Sequence, residues 1–99
     1  MKQVDFEWDD KKEKINIKKH GIDFEIAAHV FADEQRIEKY DYLHSIDEDR
    51  YIVIGSVGGM IAILTVVYTE RNNSSVIRII SARLSTKDEK EEYYNGYSK

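Results

Sequence analysis

The sequence contains no cysteine and no proline, and each absence excludes a class of structure or site. Without cysteine, disulfides, thiol catalysis and thiolate-bound metals are excluded. Without proline, no helix or strand is interrupted by a residue that lacks a backbone N–H. Long apolar runs are missing as well. The longest spans residues 60–67, contains Thr65, and is far shorter than the roughly 20 residues of a transmembrane helix.

The N-terminal segment lacks the apolar stretch of a secretory signal peptide, so we expect a cytoplasmic protein without membrane segments. With 99 residues, the chain is expected to form a single domain over residues 1–99. Its net charge of −4 is unevenly distributed: residues 9–20 carry +2 and residues 60–87 carry +3, whereas residues 32–50 carry −4. The basic segments suit a phosphate-bearing partner, although solvated charged faces would show the same pattern.

Capping residues delimit two helices near the N-terminus. Asp9 or Asp10 is a suitable N-cap for a helix that runs to about His20 and ends at Gly21, where a left-handed backbone is needed. Asp23 caps a second helix, in which four apolar residues recur at helical spacing and should face the core. These residues are Phe24, Ala27, Ala28 and Phe31.

Extended segments follow from about residue 35, and the first of them is polar enough to lie at a sheet edge. Gly58-Gly59 is a strong hairpin signal between the second and third. Thr86 and Glu89 then form a capping box for a final helix. The predicted strands span residues 37–43, 51–57, 60–68 and 76–82, and the last helix carries Tyr93, Tyr94 and Tyr97.

Together these elements predict an α+β fold: two N-terminal helices, an antiparallel sheet of three to four strands and a C-terminal helix.

Three arginines lie on the predicted hairpin formed by residues 66–71 and 76–83. A guanidinium offers a planar fork of donors suited to phosphate and stays charged at any working pH. Arg71 and Arg83 lie at the ends of elements and are the favoured phosphate-binding residues, with surface ion pairs as the alternative. Strict strand alternation puts Ser81 on one face and Arg78 on the other, more polar face.

Glu70 and His20 are the candidates for proton transfer. Glu70 is the lone acid between residues 51 and 88, and it is either a general base or the ion-pair partner of an arginine. His20 follows several lysines at the end of the first helix, where it either accepts a proton or interacts with the helix dipole. His44 lies near the start of a core strand, whereas His29 is expected to be structural or solvated. Their spacing matches no zinc motif, so we predict no metal site.

Short motifs, in order and at similar spacing over most of the chain, resemble one known family. The motifs occupy residues 6–9, 12, 16, 19–21, 24–25, 27–28, 30–31, 44–45, 49–51, 54–55, 66–71 and 77–83. Each is weak alone, but the ordered set is specific. The chain resembles the BrnT toxins of type II toxin–antitoxin systems.

The resemblance implies a fold related to the RelE-type toxins and a ribonuclease activity that inhibits translation. The composition is compatible with a reaction without metal or cofactor, which needs only a base for the 2′-hydroxyl, an acid for the leaving oxygen and cations for the transition state. It also implies a BrnA-type antitoxin that neutralises the toxin and represses their shared operon, so that operator DNA is contacted only through the antitoxin. The candidate site residues stand in matching motifs. They are His20, Glu70, Arg71 and Arg83 for catalysis, and Lys19, His44 and Arg78 for RNA binding.

One segment departs from the family. Residues 87–92 in the last helix are acidic where family members are often basic. This departure bears on RNA affinity and on toxicity. The alternative function is a non-catalytic toxin homologue that acts as an interaction module in an antitoxin-bound repressor complex.

Overall fold

The computed structural model describes residues 4–58 and 62–96. Gly59, the start of the strand predicted at residue 60, and Tyr97 lie outside the described residues. No helix in the described part of the chain is long and apolar enough to cross a membrane. The elements, in chain order, are β1 (Asp5–Trp8), α1 (Asp10–His20), α2 (Phe24–His29), a 3-10 turn (Val30–Ala32), β2 (Ile37–Tyr40), β3 (Tyr51–Ser56), β4 (Ile63–Arg71), β5 (Val76–Leu84) and α3 (Lys87–Asn95).

The fold is α+β, but the predicted arrangement of its elements is wrong. The first element in the described part of the chain is strand β1 and not a helix, and the sheet has five strands in the order β1-β5-β4-β3-β2. The sheet is mixed, because β1 pairs with β5 in parallel whereas the other neighbouring strands are antiparallel. β1 has only four residues, and its partner lies some seventy residues further along the chain. Local sequence patterns carry no signal for such a pairing.

Capping explains where the helices begin and end. The Asp9 carboxylate accepts the backbone N–H groups of Lys11 and Lys12, and these hydrogen bonds lower the pKa of Asp9. Gly21 ends α1 in the left-handed region, at a φ of 73°. Asp23 caps α2, and the capping box predicted for α3 is present. These local predictions are confirmed.

The two faces of the sheet are covered unequally. On the α2 face, Phe24, Leu64, Val66 and Ile79 belong to one buried core, which β1 extends through the contact of Trp8 with Phe24. On the opposite face, which we call the α3 face, the buried cluster is small. It comprises Ile37, Ile54 and Ile63, with Ile52 and Tyr93 packed against it. Helix α3 therefore covers only one end of its face.

The predicted orientation of Ser81 is wrong because β5 contains a β-bulge. Tyr68 pairs with Ile79, but the preceding residue, Val67, pairs with Ser81, so Ile80 is an extra residue without a partner in β4. Paired residues share a face, and strict alternation would have placed Ser81 with Ile79. The bulge instead turns Ser81, and Arg83 beyond it, to the α3 face. Arg83 also lies within β5 and not past its end.

Asn16 of α1 replaces a strand neighbour along the second half of β5. β1 pairs only with residues 76–79 of β5. Beyond them, the buried Asn16 side chain donates to the carbonyl of Ala82 (2.9 Å) and accepts its N–H (3.1 Å). Asn16 also donates to the carbonyl of Ile22 (3.0 Å). These bonds hold the C-terminal end of α1 beside Ser81 and Arg83.

Replacing Asn16 by alanine is expected to lower the free energy of unfolding by about 2–4 kcal/mol, because it leaves buried backbone groups of Ala82 and Ile22 unsatisfied. Urea titration followed by circular dichroism measures the change. Lys18→Ala, an exposed change in the same helix, is the control and should alter stability by less than about 0.5 kcal/mol. Equal effects of the two substitutions would contradict this role of Asn16.

Candidate functional site

A groove crosses the uncovered part of the α3 face. Its floor is formed by side chains of β3, β4 and β5, and its wall by the loop that joins β2 to β3. The groove has a volume of about 430 Å³ and is lined by Asp41, Leu43, His44, Arg50, Ile52, Val67, Ile80, Ser81 and Arg83. A second depression beside it shares Ile80, Ser81 and Arg83 and adds the α1 residues Lys12, Ile15, Asn16, Lys19 and His20. Four of the seven predicted site residues (Lys19, His20, His44 and Arg83) therefore line one continuous surface.

Arg83 lies where the two depressions meet and is held there by Glu89 of α3. Its Nη1 and Nη2 atoms donate to the two carboxylate oxygens of Glu89 at 2.7 and 3.0 Å. These hydrogen bonds lower the pKa of Glu89 to about 2 and raise the pKa of Arg83. Glu89 also accepts the Thr65 hydroxyl (2.9 Å) and, as part of the capping box, the Thr86 N–H (2.8 Å). The orientation of the guanidinium is thus fixed, while part of its charge is neutralised.

His44 lies on the wall of the groove, paired with a carboxylate. Its Nδ1 is 2.9 Å from Oδ2 of Asp41. The Asp41 side chain is only 7% exposed, whereas that of His44 is 66% exposed. Sequence analysis did not single out Asp41. The only signal was an acid three residues before a histidine, which is common in a chain rich in Asp and Glu.

Arg50 is a second groove residue that sequence analysis did not select. Its Nε atom is buried and has no hydrogen-bond partner among the described residues, and the nearest carboxylate oxygen in an ion pair, Oε2 of Glu48, is 3.8 Å away. Arg50 adds a positive charge to the wall that carries His44.

Lys19 and His20 occupy the last turn of α1. Both side chains are exposed and line the depression on the α1 side of Arg83. Their position depends on two features already described. Gly21 ends the helix directly after His20, and Asn16 binds the helix to the backbone of β5 one turn earlier.

The remaining three candidates lie at the other end of the β4–β5 hairpin. Arg78 Nη1 is 3.0 Å from Oε2 of Glu7, and Arg71 contacts Glu7 (3.7 Å) and Glu48 (3.3 Å). Arg83 is paired with Thr65, and Arg71 lies six residues further along β4. That separation is roughly 20 Å at the rise of a strand. Arg83 is held by Glu89 and Arg71 by Glu7 and Glu48, so the two guanidinium groups do not form one phosphate site in this structure.

Glu70 faces away from the groove and from Arg71 and Arg78. It is paired with the buried Ile77, so its side chain leaves the sheet on the α2 face, where it accepts the Ser74 hydroxyl at 2.8 Å. His29 is also remote from the groove, and its Nδ1 bonds to the carbonyl of Glu25 in its own helix (2.9 Å). Among residues 4–58 and 62–96, no group of three or more His, Asp and Glu side chains is arranged to hold a metal ion.

Comparison with known families identifies the class of protein. A family model described as the ribonuclease toxin BrnT of type II toxin–antitoxin systems matches residues 8–89. The chain belongs to this family. Comparison with curated proteins found no match. Membership of the BrnT family makes the chain a toxin of the ribonuclease class and implies an antitoxin partner. The matched region includes every residue of the groove, together with Glu89.

The Arg83–Glu89 pair predicts an acid-sensitive part of the stability. Because the folded-state pKa of Glu89 is about 2 and its ordinary value is 4.5, the pair stabilises the fold above pH 4.5 and is lost as the pH falls toward 2. Both groups are partly exposed, so we expect a contribution on the order of 2 kcal/mol. Urea unfolding should show this gap between the wild type and Glu89→Gln at pH 6, and a smaller gap at pH 2.5.

Glu91→Gln, an exposed change in the same helix, is the control and should leave the pH dependence of unfolding as in the wild type. A gap between the wild type and Glu89→Gln that is the same at both pH values would show that shape, and not charge, stabilises this contact.

Proposed function

We propose that the groove on the α3 face binds and cleaves RNA without a metal ion, and that this cleavage inhibits translation. The observation that carries the proposal is the convergence of α1, β5 and the loop between β2 and β3 on one surface. Lys19 and His20 line one of the two adjoining depressions, His44 lines the other, and Arg83 lines both. Imidazole is the side chain best suited to proton transfer near neutral pH, and fixed cations stabilise the charge that develops on a reacting phosphate.

Arg83 is the proposed phosphate ligand of the site. Glu89 takes two of the five N–H donors of its guanidinium, and the Leu84 carbonyl lies near Nη1 at 3.4 Å. Donors remain for a phosphate oxygen, and their direction is fixed before RNA binds. Lys19 adds a second positive charge to the same depression, and we assign to His20 the protonation of the leaving oxygen.

Arg78 and Arg71 extend the proposed RNA path along the same face. Arg78 is paired with Thr69, and Arg71 with Val76, so both leave the sheet on the α3 face. They lie beyond the bulge at Ile80 and would contact phosphates one or more nucleotides away from the one that reacts. Glu70 is on the opposite face, and we assign it to the hairpin tip through Ser74 and not to proton transfer.

The proposed partner is a BrnA-type antitoxin, which neutralises the toxin and carries the contact with operator DNA. The net charge of −4 of this chain supports that division of roles, because an acidic protein is poorly suited to bind duplex DNA by itself.

A specific observation supports the second candidate function, a non-catalytic homologue in an antitoxin-bound repressor complex. Glu89 neutralises part of the charge of Arg83, and it lies in the acidic segment that departs from the family. A toxin whose phosphate ligand is held this firmly has less free charge to offer RNA.

Cleavage of a labelled RNA by the purified chain in EDTA tests the first function. Arg83→Ala should lower kcat by about 10²–10³-fold, as expected for removal of a group that stabilises transition-state charge. Lys14→Ala, which removes an exposed lysine of α1 outside both depressions, is the matched control and should cleave like the wild type.

RNA with a 2′-deoxy substitution at the cleaved position should be resistant, because the attacking 2′-oxygen is missing.

Two outcomes would contradict this assignment. Cleavage that requires an added divalent ion would exclude the metal-independent mechanism. An absence of both RNA cleavage and growth arrest on expression without antitoxin, with the folded chain still binding its antitoxin, would favour the non-catalytic complex.

A further inference from the structure

We propose that His44 is the general base of the reaction and that the buried Asp41 is its positioning residue. This inference rests on the proposed ribonuclease function and deepens it. Sequence motifs place His44 only among the RNA-binding residues, whereas the geometry of the pair assigns it a proton-transfer role.

The contrast in exposure shows how the pair is oriented. The Asp41 carboxylate is 7% exposed and lies 2.9 Å from Nδ1 of His44, whose side chain is 66% exposed. A carboxylate can only accept here, so Nδ1 carries the hydrogen. In the neutral ring, Nε2 then has a free lone pair. The largely exposed His44 side chain borders the groove together with Arg83.

The loop that holds the pair is fixed by its own hydrogen bonds. The backbone N–H of Asp41 donates to the Arg50 carbonyl (2.9 Å), which closes the loop. Within it, the Ser45 hydroxyl donates to the Asp41 carbonyl (2.6 Å) and accepts the Arg50 N–H (2.8 Å). Thr69 of β4 donates to the Asp49 carbonyl (2.7 Å) and anchors the loop to the sheet. None of these bonds uses the side chain of Asp41 or His44, so both can be replaced without opening the loop.

The other surface acids of the loop do not share this arrangement. Asp47 is exposed, and Asp49 accepts the Tyr40 hydroxyl at 2.8 Å. A buried carboxylate paired with a largely exposed imidazole at the wall of a groove is the arrangement that sets the tautomer and direction of a catalytic histidine.

The reaction that follows is balanced without any further reagent. Nε2 of His44 takes the proton of the RNA 2′-hydroxyl as the 2′-oxygen forms a bond to phosphorus. The bond from phosphorus to the 5′-oxygen breaks, and that oxygen takes a proton from His20. The products are a 2′,3′-cyclic phosphate and a 5′-hydroxyl end, and proton exchange with water restores both histidines.

Kinetics of Asp41→Asn test the positioning role. The amide keeps the shape of the side chain but not its charge, so we expect kcat to fall by at least about 100-fold while KM changes less than about threefold. His44→Gln should have a similar effect, and the double variant should be little worse than either single variant, because the two residues act as a unit. Asp47→Asn and His29→Gln, which replace an exposed acid of the same loop and a histidine outside the groove, should retain wild-type kcat.

Nitrogen-15 NMR measures the tautomer of the His44 ring, which Asp41→Asn would not change if the role of Asp41 were only structural. In the neutral wild-type ring, the hydrogen should be on Nδ1, and this preference should be lost in Asp41→Asn. Wild-type kcat in Asp41→Asn, or a wild-type His44 ring protonated on Nε2, would overturn the inference. If Asp41→Asn does not fold, the inference is tested by the tautomer of His44 in the wild type and by the kcat of His44→Gln. Protonation of the wild-type ring on Nε2, or wild-type kcat in His44→Gln, would then overturn it. A wild-type chain that cleaves no RNA would instead refute the proposed function itself, which keeps the two failures distinct.

Discussion

The arrangement of the site depends on one extra residue in β5. Without the bulge at Ile80, strand alternation from Ile77 and Ile79 would turn Arg83 into the core under α2, where its charge would have no suitable partner. The bulge instead turns Ala82 into the core, and Arg83 leaves the sheet on the α3 face, within reach of Glu89. The bulge thus reconciles a continuous apolar core with a row of polar side chains on the same strand, and bulges commonly re-aim side chains in this way.

The short β1 imposes a second constraint on the same strand. β1 ends opposite Ile79, so the edge of β5 beyond that residue has no neighbouring strand. The Asn16 side chain instead forms hydrogen bonds with the backbone N–H and carbonyl of Ala82. Because Asn16 occupies the place of a neighbouring strand, helix α1, which carries it, is held beside β5. The end of α1 therefore lies beside Arg83, and the two depressions become one surface. Stability and the geometry of the site are coupled here through a single buried amide.

The features predictable from the sequence are those whose cause lies within a few residues. The caps at Asp9, Asp23 and Thr86 and the left-handed end of α1 follow from local hydrogen bonding and sterics. β1 was missed because four residues gain strand structure only from a partner far along the chain. The facing of Arg83 depends on a bulge that no local pattern marks. The special position of Asp41 depends on burial, which distinguishes it from the many exposed acids around it.

The incomplete cover of the α3 face is the physical reason that a groove exists at all. Helix α3 has no buried residue and packs on one end of this face, mainly through Tyr93 and the hydrogen bonds of Glu89. Ile52, Val67 and Ile80 remain only partly buried as a result. Leaving apolar side chains partly in water forgoes stabilisation that a longer, more apolar helix would supply. An apolar floor bordered by cations and imidazoles is well suited to a nucleotide, whose base is largely apolar and whose phosphate is charged. The same acidic helix that leaves the floor open also fixes Arg83 at its edge, so α3 sets both the access to the groove and the charge available within it.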